Sequence, residues 1–309
     1  MRPLKFHPIL KQTLWGGERI IPYKELASGL SRVGESWELS GMPGSESVVA
    51  EGPWAGSTLS ELIGRFGAEL LGKANYARFG QEFPLLVKFI DAREDLSIQV
   101  HPDDELARKR HGKSGKCEMW YVLEAEPGAS LLTGFSRPIA PAEYERRVAD
   151  NTLTDVLNRQ AIASGDVFYL PAGRVHSIGK GSFIVEIQQS SDITYRIYDF
   201  DRRDAAGNSR ELHTELAREA IDFESSENSR ITYAPENNQE VRLVTTPYFT
   251  TSLYTLTART RCDWSATDSF VAIVLLQGSG SLTDNEGNRI DVRQLSLIHI
   301  SEPTRRSYI

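Results

Sequence analysis

Short segments rich in apolar residues, separated by glycine and proline, recur along most of the 309 residues. Segments of this length and punctuation are typical of strands in an antiparallel barrel or sandwich. Helical patterns are few. The stretch from Thr58 to Ile63 begins with a capping box, and residues 140–157 have the pattern of one or two helices. We therefore expect a mainly β protein with a short helical insertion near residues 138–160.

Two of these segments alternate polar and apolar side chains, and their polar side chains are able to bind a metal. Successive side chains of an extended strand point to opposite faces, so Ser97, Gln99 and His101 share one face. In the same way Lys116 and Glu118 share a face. An imidazole, an amide oxygen and a carboxylate would converge if the two strands line one concavity.

A third segment, residues 165–176, supplies a second imidazole. It consists of a Gly-Asp turn, an apolar strand, a Pro/Gly bend and a histidine. Together the three segments offer four nitrogen and oxygen ligands: Gln99, His101, Glu118 and His176. This donor set suits zinc and does not exclude manganese, iron or cobalt. Only one of the four ligands is charged, so a divalent ion would keep a net positive charge, which favours Lewis acidity.

The motifs that contain these residues resemble those of type I mannose-6-phosphate isomerases, in particular the shorter bacterial form. In order, they read Ser97-x-Gln99-x-His101-Pro102-Asp103-Asp104, Gly115-Lys116-x-Glu118-x-Trp120-Tyr121, Pro171-Ala172-Gly173-x-x-His176-x-Ile178-Gly179-Lys180-Gly181 and Thr194-Tyr195-Arg196-x-Tyr198-Asp199. The opening resembles the same family in Trp15-Gly16-Gly17 and Gly34-Glu35-Ser36-Trp37-Glu38. The resemblance therefore runs from about residue 3 to about residue 294.

This resemblance implies a cupin-fold zinc enzyme that interconverts mannose 6-phosphate and fructose 6-phosphate. The family's metal ligands fall on the four residues named above, and its active-site arginine falls on Arg196. Residues that line the family's sugar-phosphate pocket match Lys88, Ser97 and Lys116. The phosphorylated hexose is the partner that we expect.

Exchange of an aldose and a ketose moves a proton between C1 and C2 through an enediol, so a base is required. Glu186, Asp192 and Lys116 are candidates, and their spacing does not choose among them. Arg196 is a positively charged anchor or oxyanion stabiliser in this interpretation, because a guanidinium holds its proton too tightly to act as the base.

Structural roles compete with these assignments. Lys88 lies in an apolar strand and requires an anionic partner there. Glu186 also lies in an apolar strand and requires a cationic partner. Glu186 could therefore serve only to pair with a lysine or an arginine, and Lys116 could be a solvated strand residue.

Composition limits the remaining classes of function. A net charge of −7 disfavours nucleic acid as a partner, so an anionic sugar would need a local cationic pocket. Lys88, Lys116 and Arg196 are the residues expected to provide it. No apolar run approaches the roughly 20 residues of a membrane span, and the first residues lack a signal-peptide core. With only two cysteines, we expect a cytoplasmic protein; its oligomeric state stays open.

The domain organisation that we expect has three parts. Residues 1–235 form the metal-binding cupin unit with its helical insertion, and residues 236–294 form a partial second cupin unit without ligands. Residues 295–309 depart from the family pattern, which would continue with a Gly-Asp turn, an apolar strand and a Pro bend. We expect this tail to be non-native and the second barrel to lack its last strands.

Two other classes of function are compatible with a metal-binding cupin. One is an oxygenase, and the other is a non-catalytic sugar-binding protein. Gln99 as a ligand, together with a lysine and arginine pocket for an anion, favours the isomerase. The presence of all four ligands argues against the non-catalytic alternative.

Overall fold

A computed structural model of the chain describes residues 2–204, 206–224, 228–294, 297–300 and 306–308. The strands are β1 Leu4–Lys5, β2 Ile9–Gly17, β3 Val33–Met42, β4 Ser45–Glu46, β5 Leu85–Ala92, β6 Ile98–Val100, β7 Glu118–Ala125, β8 Ser130–Phe135, β9 Leu157–Ala161, β10 Val167–Leu170, β11 His176–Ile178, β12 Ser182–Gln189, β13 Tyr195–Tyr198, β14 Arg230–Ile231, β15 Glu240–Thr245, β16 Thr250–Tyr254, β17 Arg261–Asp263, β18 Val271–Val274, β19 Ser279–Asp284, β20 Arg289–Arg293, β21 Leu297–Ile300 and β22 Arg306–Tyr308. The helices are α1 Ile20–Tyr23, α2 Leu59–Phe66, α3 Ala68–Leu71, α4 Lys73–Phe79, α5 Asp104–His111, α6 Pro141–Ala149 and α7 Thr214–Ala220. The mainly β prediction is confirmed.

Two antiparallel sheets form the part of the molecule that carries the predicted ligands. The larger has the order β14-β10-β7-β12-β5-β2-β3-β4, and the smaller has the order β13-β6-β11-β8-β9. Every residue of β5 is buried, which explains its nearly unbroken apolar sequence. Apolar side chains from both sheets, such as Trp120 and Ile178, pack into one cluster. The two sheets therefore enclose a common core.

Local signals account for some of the helices. At α2 the side chain of Thr58 accepts a hydrogen bond from the backbone of Glu61 and the Glu61 side chain accepts one from Thr58, so the predicted capping box is present. Helix α6 and a 3₁₀ turn at Leu153–Val156 lie between β8 and β9, within the range predicted for the insertion. The sequence interpretation missed α5, although Asp103 caps its start and Gly112 ends it in a left-handed conformation. Among the described residues, no helix is long and apolar enough to cross a membrane.

Residues beyond 235 add further strands that pack on the first part of the chain. Strand β21 pairs with both β1 and β18, and Phe249 and Phe270 share a core cluster with Phe83. The unit boundary at 235 and the non-native origin of the tail stay predictions. Residues 295, 296, 301–305 and 309 of that tail lie outside the described residues.

Candidate metal centre

A row of polar side chains crosses the smaller sheet and forms one wall of the site. In β11, His176 lies opposite Gln99 of β6 on one side and Thr133 of β8 on the other. Gln99 in turn lies opposite Arg196 of β13. Residues paired directly across antiparallel strands project their side chains to the same face. The sheet register therefore aligns Arg196, Gln99, His176 and Thr133 along one surface.

The larger sheet supplies the carboxylate. Glu118 is the first residue of β7, and His101 directly follows β6. Glu118 Oε2 lies 3.5 Å from His101 Nε2, and Glu118 Oε1 lies 3.2 Å from His176 Nε2. The ligand atoms of these three residues all lie within 4.8 Å of one another, and none of the residues is more than 2% exposed. The structure thus brings together three of the four predicted ligands in a buried triad.

Hydrogen bonds to backbone carbonyls fix the tautomer of both histidines. Nδ1 of His101 is 2.8 Å from the carbonyl oxygen of Ile193, and Nδ1 of His176 is 2.8 Å from that of Arg174. A carbonyl oxygen only accepts, so each Nδ1 must donate, and each Nε2 is left with a lone pair. Those lone pairs face Glu118, whose oxygens are also acceptors. Three acceptors that converge in this way fit a cation, and the backbone carbonyls are the usual second partners of ligating histidines.

The amide of Gln99 lies beside the triad, on the side of His176. Its Nε2 is 3.4 Å from His176 Nε2, and its Oε1 accepts a hydrogen bond from Ser97 Oγ at 3.3 Å. Rotation of the terminal amide would exchange these two atoms and turn the oxygen towards the triad. Gln99 is therefore within reach as an oxygen ligand, and buried Ser97 touches it directly.

Burial and a neighbouring lysine set the charges of the triad. Burial, with a further effect of Lys116, lowers the pKa of His101 to about 4, and burial also lowers the pKa of His176. Burial alone would raise the pKa of Glu118, but Lys116 and the two histidines hold it well below its usual value. At neutral pH the triad is consequently two neutral imidazoles and one carboxylate, which is the state that binds a divalent metal.

Two buried lysines near the triad form ion pairs with carboxylates. Lys116 Nζ lies 2.8 Å from Glu118 Oε2 and 3.0 Å from His101 Nε2, so it contacts the candidate ligands directly. Lys88 Nζ lies 2.9 Å from Glu186 Oε1, in the register that pairs β5 with β12. The other oxygen of Glu186 accepts a hydrogen bond from Trp120 Nε1 at 2.9 Å. The two charges that the sequence places in apolar strands therefore pair with each other.

A group of arginines lies at the other end of the row, beyond Gln99. Arg196 donates to the backbone carbonyl of Glu211, while Arg210 forms a two-point ion pair with buried Asp199. Arg202 Nη1 is 3.6 Å from the same carboxylate. Burial and the charge of Arg210 lower the pKa of Arg196. The sequence interpretation missed Arg202 and Arg210, and their only local signal is a concentration of arginine after the Thr194–Asp199 motif.

Asp192 is the one predicted site residue that the structure leaves at the surface. Its side chain is half exposed and pairs with Lys113 at 2.8 Å. The neighbouring carbonyl of Ile193 reaches His101, but the Asp192 carboxylate contacts none of the triad. Cys117, whose side chain alternates to the face opposite Glu118, joins an apolar cluster with Met119 and Val167.

Comparisons with other proteins show which family the chain is similar to. The family model described as phosphomannose isomerase type I, catalytic domain, matches residues 4–132. Mannose-6-phosphate isomerase ManA of Bacillus subtilis is 34% identical over 288 residues, which cover 92% of this chain and 88% of that protein. A mannose-6-phosphate isomerase of Streptococcus mutans is 34% identical over 284 residues, which cover 91% of this chain and 87% of that protein.

Solved structures extend the likeness to the whole fold and confirm the predicted cupin type. The crystal structure of mannose 6-phosphate isomerase from Bacillus subtilis superposes with a TM-score of 0.90 at 29% identity, covering 100% of this chain and 96% of that one. A variant of phosphomannose isomerase from Salmonella typhimurium shares the fold at a TM-score of 0.79 and 15% identity, covering 99% of this chain and 96% of that one. With its motifs, triad and near full-length relatives, this chain belongs to the type I phosphomannose isomerase family.

Proposed function

We propose that this protein interconverts mannose 6-phosphate and fructose 6-phosphate, with zinc held by Gln99, His101, Glu118 and His176. The observation that carries the proposal is the buried triad, in which two imidazole lone pairs converge on one carboxylate in a chain of this family. Two histidines with oxygen ligands form a donor set common in catalytic zinc sites. Zinc would act there as a Lewis acid that stabilises the oxyanion developing on the sugar.

Lys116 is the best-placed of the three candidate bases for the proton that moves between C1 and C2. It lies against Glu118 and His101, whereas Glu186 is held by Lys88 and Trp120, and Asp192 pairs with Lys113 at the surface. Glu186 is the alternative, because it lies opposite Trp120, two residues along β7 from Glu118, and therefore on the same face of the sheet as Glu118.

Charge balance favours the arginines as the group that binds the substrate phosphate. Lys88 and Lys116 each already have a carboxylate partner in the core. Arg196, Arg202 and Arg210 surround one buried carboxylate, that of Asp199, whereas the other carboxylates near them, Glu94 and Glu211, are exposed and screened by solvent. The buried part of the cluster therefore carries an excess of positive charge. A phosphate dianion suits such an excess, because guanidinium groups bind its oxygens in pairs. In this proposal Ser97, Lys88 and Lys116 contact the sugar end of the substrate.

A coupled assay of fructose 6-phosphate formation from mannose 6-phosphate tests the proposal directly. The protein should be active with bound zinc, lose activity in a chelator and regain it when zinc is restored. His176→Ala should lose bound zinc and activity together, since a site that loses a ligand loses much of its affinity. Oxygen consumption with the metal-loaded protein would instead indicate the oxygenase alternative. Full isomerase activity in metal-free His176→Ala would refute the zinc mechanism.

We also propose a cytoplasmic location for this activity. Cys117 and Cys262 are both free and buried. Free thiols persist most readily in a reducing compartment, where phosphorylated sugars are also expected. Measurement of the protein in cell fractions would test this location.

A further inference from the structure

A chain of hydrogen bonds connects the C-terminal part of the molecule to the backbone that carries Lys116 and Glu118. The hydroxyl of Tyr248 donates to Asp104 Oδ2 at 3.0 Å. Tyr248 lies in the part predicted to be a second unit without ligands, while Asp104 opens α5 three residues after His101. The link is thus a direct polar contact between that part and the start of α5, three residues from His101.

Asp104 ties together the segments that converge on the triad. Its Oδ1 accepts hydrogen bonds from the backbone of Gly115 at 2.9 Å and from the side chain of Gln189 at 3.0 Å. Gly115 directly precedes Lys116, and a side chain at Gly115 would collide with the backbone of Asp103 and Asp104. The segments around Asp104 and Gly115 therefore pass close together.

Gln189 extends the connection to the residue before Glu118. Its Oε1 accepts a hydrogen bond from the backbone N–H of Cys117 at 2.9 Å, and its own N–H donates to the Cys117 carbonyl at 3.2 Å. Cys117 is covalently flanked by Lys116 and Glu118. Displacement of the Asp104 carboxylate would thus be transmitted to both neighbours of Cys117.

Tyr248 is itself held firmly. The hydroxyl of Thr246 accepts hydrogen bonds from the backbone of Tyr248 and of Phe249, each at 3.0 Å. Arg78 donates to the carbonyl of Pro247 at 3.0 Å and lies 5.4 Å from the centre of the Tyr248 ring. Phe249 is buried in the main core cluster. The hydroxyl is therefore presented to Asp104 by a fixed loop.

We propose that Tyr248 is a positioning residue for the metal centre, acting through Asp104 and Gln189 on the segment from Gly115 to Glu118. The inference rests on the proposed function, since the residues it positions are the proposed ligand and base. It gives the C-terminal part of the chain a role in catalysis without any contact with the substrate.

Tyr248→Phe removes only the hydroxyl, and Tyr254→Phe is the matched control. Tyr254 belongs to β16, and its hydroxyl interacts with Cys262, Trp264 and Glu240, all outside the site. The Tyr248 hydroxyl donates to a charged carboxylate, so its removal should partly displace the segment from Gly115 to Glu118. We expect kcat to fall about 3- to 10-fold, while KM changes less than about twofold. Transfer of zinc from the loaded enzyme to a chelator should accelerate by a similar factor. Tyr254→Phe should leave both rates at the wild-type value.

Two further measurements keep the test independent of activity. Amide hydrogen exchange at Gly115 and Cys117 should become faster in Tyr248→Phe and stay unchanged in Tyr254→Phe. Asp104→Ala breaks the same link from the other side, and adding Tyr248→Phe to it should produce little further change. Were the wild-type protein to lack isomerase activity, the zinc and exchange measurements would still test the link. Equal kcat, zinc release and exchange in the two phenylalanine variants would overturn it.

Discussion

Lys88→Met should destabilise the protein more than any substitution of an exposed lysine, because it leaves Glu186 charged and buried without its counter-ion. Lys88 is 10% and Glu186 is 4% exposed in their side chains, and their charged atoms are 2.9 Å apart. Methionine keeps most of the apolar stem, so packing is nearly preserved. Among the described residues, Trp120 Nε1 would then be the only remaining hydrogen-bond donor to the Glu186 side chain.

The distance sets the scale of the effect. At an effective dielectric constant of about 20, two charges this close attract by roughly 6 kcal/mol. Desolvation of both groups offsets much of that attraction, so the pair as a whole contributes little. Removal of one partner, however, typically costs about 3–5 kcal/mol, since the other charge stays buried. We expect the free energy of unfolding to fall by about that amount at pH 7.

The pH dependence follows from the directions of the two pKa values. In the folded protein, burial and Glu118 would raise the pKa of Glu186, but Lys88 and Lys116 bring it below its ordinary value. Without Lys88 the folded-state pKa of Glu186 should rise. The loss of stability is therefore full above this raised pKa and shrinks as the pH falls through it, because protonation removes the unpaired charge.

Urea unfolding of the chelator-treated protein, followed by tryptophan fluorescence, measures this loss. Lys113→Met is the control, since Lys113 is 53% exposed and its pair with Asp192 should contribute less than about 1 kcal/mol. The double variant Lys88→Met/Glu186→Gln should recover most of the stability. The reasoning is refuted if Lys88→Met costs no more than Lys113→Met, or if the double variant is no more stable than Lys88→Met.

Three further predictions concern the site. Arg196→Lys keeps the charge but loses the planar guanidinium, so it should retain zinc while kcat falls at least about tenfold; loss of zinc in metal analysis would mean that Arg196 shapes the metal centre. Arg210→Gln removes part of the excess charge around Asp199 and should raise KM for mannose 6-phosphate about tenfold with zinc content unchanged, and an unaltered KM would remove the arginines as the phosphate site. In the metal-free protein the folded-state pKa of His101 is about 4, below its ordinary 6.5, so the unfolded chain binds more protons between these values. Stability should therefore fall by roughly 3 kcal/mol from pH 6.5 to pH 4 relative to His101→Gln, and parallel curves for the two proteins would contradict this assignment.

The sequence by itself determined the features that depend on neighbouring residues. Alternation along a strand places Gln99 and Ser97 on one face and turns Cys117 away from Glu118, whatever the rest of the chain does. The capping box at Thr58 is equally local, because its two hydrogen bonds lie within four residues. The ligand types, and hence the class of metal, also follow from the sequence.

Only the tertiary structure decided which of these faces meet. The pairing of Lys88 with Glu186 depends on the register of β5 against β12, and a register shifted by one residue would have turned one of the two charges to the other face. The sequence indicated that Lys88 and Glu186 both need a partner of opposite charge. It did not decide whether they pair with each other or contact the substrate.

The same limit applies to the residues that were missed or that lie elsewhere than expected. Asp192 is next to a carbonyl that orients His101, yet its own side chain points to Lys113 at the surface. Arg210 contacts Asp199 across an irregular loop. Tyr248 contacts Asp104, which lies in a distant segment of the chain. Such contacts depend on how the whole chain buries its apolar surface. The sequence around these polar residues has no hydrophobic periodicity that would predict which of them meet.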